Sequence, residues 1–157
     1  MQRCGIESFK GVPSHDDLTT WLGDKRGGIL VLDDLMSEGG DDREILNLFT
    51  QYSHHMNVTV CYICQDMFPQ GKYAKTISRN TQYIIAFKNP RHKVALRTLL
   101  LQIYPTKWLP VMDIYNACTD RPYGYLLLNV HPASRDSTRL LSHLLRHEGC
   151  VCCYREK

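Results

Sequence analysis

Gly28-Ile29-Leu30-Val31-Leu32-Asp33-Asp34-Leu35 is the stretch whose reading decides the fold. Four aliphatic residues run without a break into two adjacent carboxylates. A short unbroken apolar run between glycines and polar residues predicts a strand buried on both faces, as in a parallel sheet. Ligands of open α/β sheets gather at the carboxyl ends of the strands, so Asp33 and Asp34 stand where such a fold places its chemistry. The plainer alternative is a core strand ending in a solvated turn.

Outward from this strand the pattern alternates. On the N-terminal side, Ile6 to Phe9 reads as a short strand and Gly11-Val12-Pro13 as a turn. Ser14 caps a helix through Leu22, with Asp16 and Asp17 in its first turn, where the helix dipole favours acids. On the C-terminal side, Asp41 with Glu44 resembles a capping box. Ile45, Leu48, Phe49 and Tyr52 then mark one helical face to His54. Val58 to Cys64 is a second buried strand, ending at Gln65-Asp66. Tyr73 to Arg79 reads as a short helix and Tyr83 to Phe87 as a third strand. Asn89-Pro90 is an N-cap with the first helical residue, opening a helix with the stripe Leu96, Leu99, Leu100 and Ile103. A helix over Trp108 to Cys118, a fourth strand over Tyr125 to Val130 and a helical tail from Ser137 to His147 complete the reading. Strands separated by helical crossovers predict an α/β fold with a mainly parallel sheet and flanking helices. One edge would then collect Asp33, Asp34, Gln65, Asp66, Lys88 to Arg91 and Asn129 to His131.

Composition narrows the classes. The 157 residues suit one domain with a real core, and 43% hydrophobic against 22% charged residues is globular rather than disordered. A net charge of +3, with its basic residues spread out, permits nucleic-acid contact without arguing for it. No apolar run approaches the ~20 residues of a membrane span. Met1 to Gly5 lacks the apolar core of a signal peptide. Seven scattered cysteines suggest reduced thiols in an intracellular chain, not a disulfide framework.

Phosphoryl transfer needs a metal on a carboxylate, a group that orients water, and cations for the transferred charge. The acid-tipped strand has the shape of a Walker B strand, with Asp33 to hold Mg²⁺ through water and Asp34 to orient the attacking water. Gln65, ending the next strand, is placed to reach that water and a γ-phosphate; its plainer role is to cap backbone. Arg79 and Arg91 are the candidate cations, against the commoner fate of simple solvation. The phosphate cradle is lacking. Its nearest approach, Gly71-Lys72-Tyr73, has Asp66 where the first glycine belongs and Tyr73 where a hydroxyl ligand of the metal belongs. Among metal readings, Cys61 and Cys64 sit three apart in a strand, on opposite faces, and read as core. His143 and His147 share a helical face ahead of Cys150, Cys152 and Cys153, a weaker zinc alternative. No nucleophile elbow or Ser/His/Asp spacing is visible.

Several blocks in order carry a resemblance: Ile29 to Met36, Phe49-Thr50-Gln51-Tyr52-Ser53-His54-His55, Val58 to Gln65, Phe68-Pro69-Gln70-Gly71-Lys72, Thr76-Ile77-Ser78 and Phe87-Lys88-Asn89-Pro90-Arg91. They resemble the FtsK/HerA-type genome-packaging ATPases of adintoviruses, Maverick/Polinton elements and related large DNA viruses. Gly124 to Leu128 and His131-Pro132 extend the likeness, which spans residues 5–135. The resemblance implies a three-layer, P-loop NTPase-like fold with its N-terminal P-loop unit missing. It implies a partial ATPase core over 1–135 and an unrecognised helical, cysteine-rich tail over 136–157.

By the same resemblance, Mg²⁺ and ATP are the cofactors, Asp33 binds the metal, Asp34 is catalytic, Gln65 is the sensor, and Arg91 precedes Arg79 for the arginine role. The implied partners are a homo-oligomeric ring, commonly a hexamer, or an intact homologue, together with double-stranded DNA and a viral capsid, and no membrane. The implied location is intracellular, at the host nucleus or the site of virus assembly. Two functions are expected: a fragment of an ATP-driven DNA-packaging motor, inactive alone, or a non-catalytic interaction module that joins an intact ring ATPase or DNA. Without a preceding strand and helix, the flank of Ile29–Leu32 is expected to be exposed unless residues 1–22 cover it.

Overall fold

The structure, a computed structural model, describes residues 6–22, 27–33, 35 and 41–155. It divides into two compact units, Met1–Asn80 and Thr81–Lys157.

The first unit begins with α1 (His15–Leu22). Ser14 caps it as the sequence implies: Asp17 N donates to Ser14 Oγ at 3.2 Å, and Ser14 N donates back to Asp17 Oδ2 at 2.9 Å. Strand β1 (Gly28–Leu32) follows. Next comes a helical segment in three parts: α2 (Arg43–Asn47), a π turn (Leu48–Tyr52) and α3 (Ser53–His55). Its cap is Asp42, whose Oδ1 accepts from Glu44 N at 2.6 Å and Ile45 N at 3.3 Å. Asp41, the expected cap, instead accepts from Lys72 N at 2.7 Å and ties a distant loop to the helix start. Strand β2 (Val58–Tyr62) and α4 (Ala74–Asn80) complete the unit.

β1 and β2 pair in parallel, from Gly28 opposite Val58 to Leu32 opposite Tyr62. Side chains alternate across a strand, so Leu30, Leu32, Val58, Val60 and Tyr62 face the helices, around Leu18, Ile45, Leu48 and Ile77. The opposite face carries Ile29, Val31 and Thr59, Cys61, all exposed. β1 is thus buried on one face, not two. Two glycines and an asparagine set its entry: Gly27 holds φ +96° with its α-carbon so near the Asn57 carbonyl that an added Cβ would lie 2.5 Å from it. Ile6 to Phe9 forms no strand; Phe9 stacks on Trp21 with ring centroids 3.8 Å apart.

The second unit runs β3 (Tyr83–Phe87), a 3₁₀ turn (Pro90–His92), α5 (Lys93–Ile103), α6 (Trp108–Cys118) and β4 (Tyr125–Asn129). Then follow 3₁₀ turns at Asp136–Thr138 and Arg146–Glu148, with β5 (Leu140–Ser142) between them and β6 (Cys152–Tyr154) last. These strands form an antiparallel sheet in the order β3-β4-β5-β6. α6 packs on β4 and α5 on α6. Leu100, Val111 and Leu140 have no exposed surface, and Leu126 and Leu128 have 1%.

The expected three-layer, mainly parallel P-loop NTPase-like sheet is therefore overturned: parallel pairing stops at β1–β2, and the larger sheet is antiparallel. The cause lies between β3 and β4. One crossover helix returns a chain to a parallel strand, whereas α5 and α6 are two, joined by the short link Tyr104–Lys107, and a second reversal brings β4 back against β3 in the opposite sense. The tail also departs from expectation. Residues 137–147 are not a helix, because Leu140 and Leu141 pair with Leu128 and Leu127 and extend the sheet.

Candidate functional site

The parallel register brings the carboxyl ends of β1 and β2 to one edge. The pairing continues one step past the strands, where Ile63 N donates to Leu32 O at 2.9 Å. Asp33 leaves β1 there, and Cys64, Gln65 and Asp66 leave β2 beside it. Asp33 and Gln65 are exposed. Asp34, the expected catalytic acid, lies outside the described residues. Asp66 serves the backbone instead, since its Oδ1 accepts from Phe68 N at 3.1 Å and shapes the following loop.

At this edge stand an exposed thiol, Cys64, and the phenol of Tyr62; Cys61 and Cys64, read as core from the sequence, are both exposed. Burial, and after it the charge of Asp66, pushes the Cys64 thiol above its ordinary range, so it is a poor nucleophile at neutral pH. Burial likewise raises the Tyr62 hydroxyl, with Cys64 second. That hydroxyl is buried with no hydrogen-bond partner among the described residues, although its ring meets Phe49 edge-on at 6.3 Å. Sequence reasoning misses Tyr62, whose position within an apolar strand gives no sign of an orphaned polar atom.

The remaining candidates are spread over both units. Arg79 sits in the last turn of α4, where a cation suits the helix dipole. Lys72, of the near-miss cradle, lies over the Tyr73 ring at 5.1 Å. Arg91 belongs to the second unit, inside the 3₁₀ turn, with its amide donating to Asn89 Oδ1 at 3.1 Å. The common edge expected for all four strand ends does not form. β3 and β4 are antiparallel, with Tyr83 opposite Asn129 and Phe87 opposite Tyr125, so Lys88–Arg91 and Asn129–His131 leave from opposite ends of that sheet.

The second unit has two clusters of its own. At one, Glu148 accepts from Tyr125 Oη at 2.7 Å, Leu145 N at 3.0 Å and Arg121 Nη2 at 2.5 Å. These donors, Tyr125 first, hold its carboxyl below the ordinary range. Nearby, Phe87, Lys88 and Thr119 to Gly124 line an open cleft of about 420 Å³, and Lys88 Nζ reaches Asp120 at 3.7 Å. At the other cluster, Ser142 Oγ lies 2.7 Å from His143 Nδ1 and 2.9 Å from Tyr154 Oη. Burial pushes the Tyr154 hydroxyl up to about 12.

A serine beside a histidine suggests a nucleophile with its base, but Ser142 is 1% exposed and no substrate reaches its oxygen. The pair is a core network. His143 and His147 share no helix, and among the described residues no group of three or more His, Cys, Asp or Glu side chains is placed to hold a metal ion. Nor is any described helix long and apolar enough to cross a membrane.

No family model, curated protein or solved structure matches the chain.

Proposed function

We propose that the chain is a non-catalytic interaction module related to the DNA-packaging ATPases, which seats against an intact ring ATPase through the uncovered face of β1–β2 and does not hydrolyse ATP by itself. The burial of β1 carries this reading. Leu32 is 3% exposed while Ile29 is 78% and Val31 54% exposed, on a strand whose composition suits cover on both sides. Such a face is a surface for a layer that another chain supplies. Asp33 and Gln65, leaving adjacent parallel strands at one edge, support the kinship. The sequence has no Gly-x-x-x-x-Gly-Lys-Ser/Thr, so the backbone cradle that supplies most nucleotide-binding energy is not encoded in these residues.

The second reading is a fragment of an ATP-driven packaging motor whose acids act once a cradle is supplied, and the shared edge of Asp33 and Gln65 favours it. Mixing the purified chain with a full-length packaging ATPase separates the two. Co-purification at micromolar concentration is expected, and loss of it in an Ile29→Lys, Val31→Lys double variant. No association counts against the module. Asp33-dependent hydrolysis of MgATP by the chain alone would move the assignment to the motor fragment.

A further inference from the structure

The open edge of the second unit's sheet carries an inference separate from the function just proposed. β3 pairs with β4 along one side, and no strand pairs with its other side among the described residues. Val130 N donates to Gln82 O at 3.0 Å, which fixes the alternation. Gln82, Ile84 and Ala86 bond towards β4, so the amides and carbonyls of Tyr83, Ile85 and Phe87 point to the open edge. Of these the Phe87 carbonyl has one partner, the Tyr115 hydroxyl at 2.9 Å.

Natural edges are blunted with charge, proline, bulges or shortness. β6, the opposite edge, is three residues long. β3 has five, Tyr83-Ile84-Ile85-Ala86-Phe87, without charge, proline or glycine. Tyr83, Ile85 and Phe87 are also exposed as side chains, at 54%, 49% and 57%.

The strand is complementary to itself. Run antiparallel about Ile85, it sets Tyr83 against Phe87 twice, Ile85 against Ile85, and Gln82 against Lys88, so aromatic meets aromatic and no like charges oppose. We propose that β3 pairs antiparallel with β3 of a second copy of this chain across a two-fold axis at Ile85, joining two four-stranded sheets into one of eight strands. The register offers about four main-chain hydrogen bonds to free groups, and two more if each Phe87 carbonyl accepts a second donor beside the Tyr115 hydroxyl. Both β3 edges are consumed, so the assembly closes at two. A five-residue seam is small beside the roughly 800 Å² per partner of a stable complex, so the dimer is of the weak, reversible kind.

Sedimentation velocity across low to high micromolar concentration, with amide exchange on the same samples, tests this. A reversible monomer–dimer equilibrium is expected, with the Tyr83, Ile85 and Phe87 amides slowing as concentration rises and those of Ile84 and Ala86 protected throughout. Ile85→Lys places two like charges at the axis and should weaken association by at least about tenfold, while Ile85→Val keeps it. If Ile85→Lys fails to fold, exchange on the unaltered chain still decides. The proposal is overturned by a chain monomeric at every concentration, or by a dimer whose three outward amides still exchange freely. Growth beyond two copies also overturns it and assigns the edge to open-ended pairing of β3 with β6.

Discussion

Strands β1 and β4 are both uninterrupted apolar runs, yet β4 holds Tyr125 through Leu128 at 8% exposure or less while β1 leaves Ile29 78% and Val31 54% exposed. The difference is one of neighbours. β4 lies between β3 and β5 with α6 against it, whereas β1 has β2 on one side and helices on one face. An apolar run states what a strand is able to bury; the topology decides what arrives to cover it. The exposed half of β1 is therefore apolar surface that no described element of the first unit covers.

The largest effect expected from this contrast is at Leu128. Truncation there leaves a cavity in a closed core, and Leu128→Ala should cost about 2–5 kcal/mol in denaturant unfolding. Ile29→Ala, on the uncovered face, should stay within about 0.5 kcal/mol. Equal costs would break the comparison and mean that the β1 face is covered in solution.

Next in size is Gly27→Ala. The left-handed φ of +96° and the Asn57 carbonyl 2.5 Å from the added Cβ both oppose a side chain. A loss of about 1–3 kcal/mol is expected, confined to the first unit. Amide exchange should show β1 and β2 opening while β4 and β5 stay protected. A uniform loss across both sheets would mean that the two units unfold as one.

Much of the element order was readable from residues, since local signals specify it. β3 and α6 begin and end where the pattern placed them, and Ser14 with Asp17 announced the start of α1. Strand direction was not readable, because it depends on how many helices turn the chain between β3 and β4. The tail misled for a related reason: the spacing of His143 and His147 suits a helix, but Leu140 and Leu141 gain more by pairing with β4. At the candidate site, the parallel pairing of the strands that Asp33 and Gln65 follow was legible from the two apolar runs. The Glu148 cluster was not, because Arg121 and Tyr125 are distant in sequence and only the fold of the tail brings them to it.

The smallest expected effect separates the units by two phenols. The Tyr62 hydroxyl in the first unit is buried without a partner among the described residues, while that of Tyr154 in the second shares a hydrogen bond with Ser142. Tyr62→Phe removes an unsatisfied polar atom and should be neutral or stabilising by up to about 1 kcal/mol, whereas Tyr154→Phe gives up a bond and should cost about 0.5–1.5 kcal/mol. The pH dependence sharpens this. A phenol raised to about 12 from an ordinary value near 10 is still protonated in the folded chain when its unfolded counterpart has ionised. The unfolded state then binds fewer protons, and stability falls as pH rises from about 10 to about 12. Solvent screening holds the Tyr154 share to about 1 kcal/mol. Tyr62 and Tyr125 are raised as well and add loss of the same sign. Stability curves of the parent chain and Tyr154→Phe should therefore converge across that window, as the parent loses what the variant never had. Parallel curves would mean that the Tyr154 hydroxyl meets water freely, and that the Ser142 network does not close the second unit as tightly as β4 is closed.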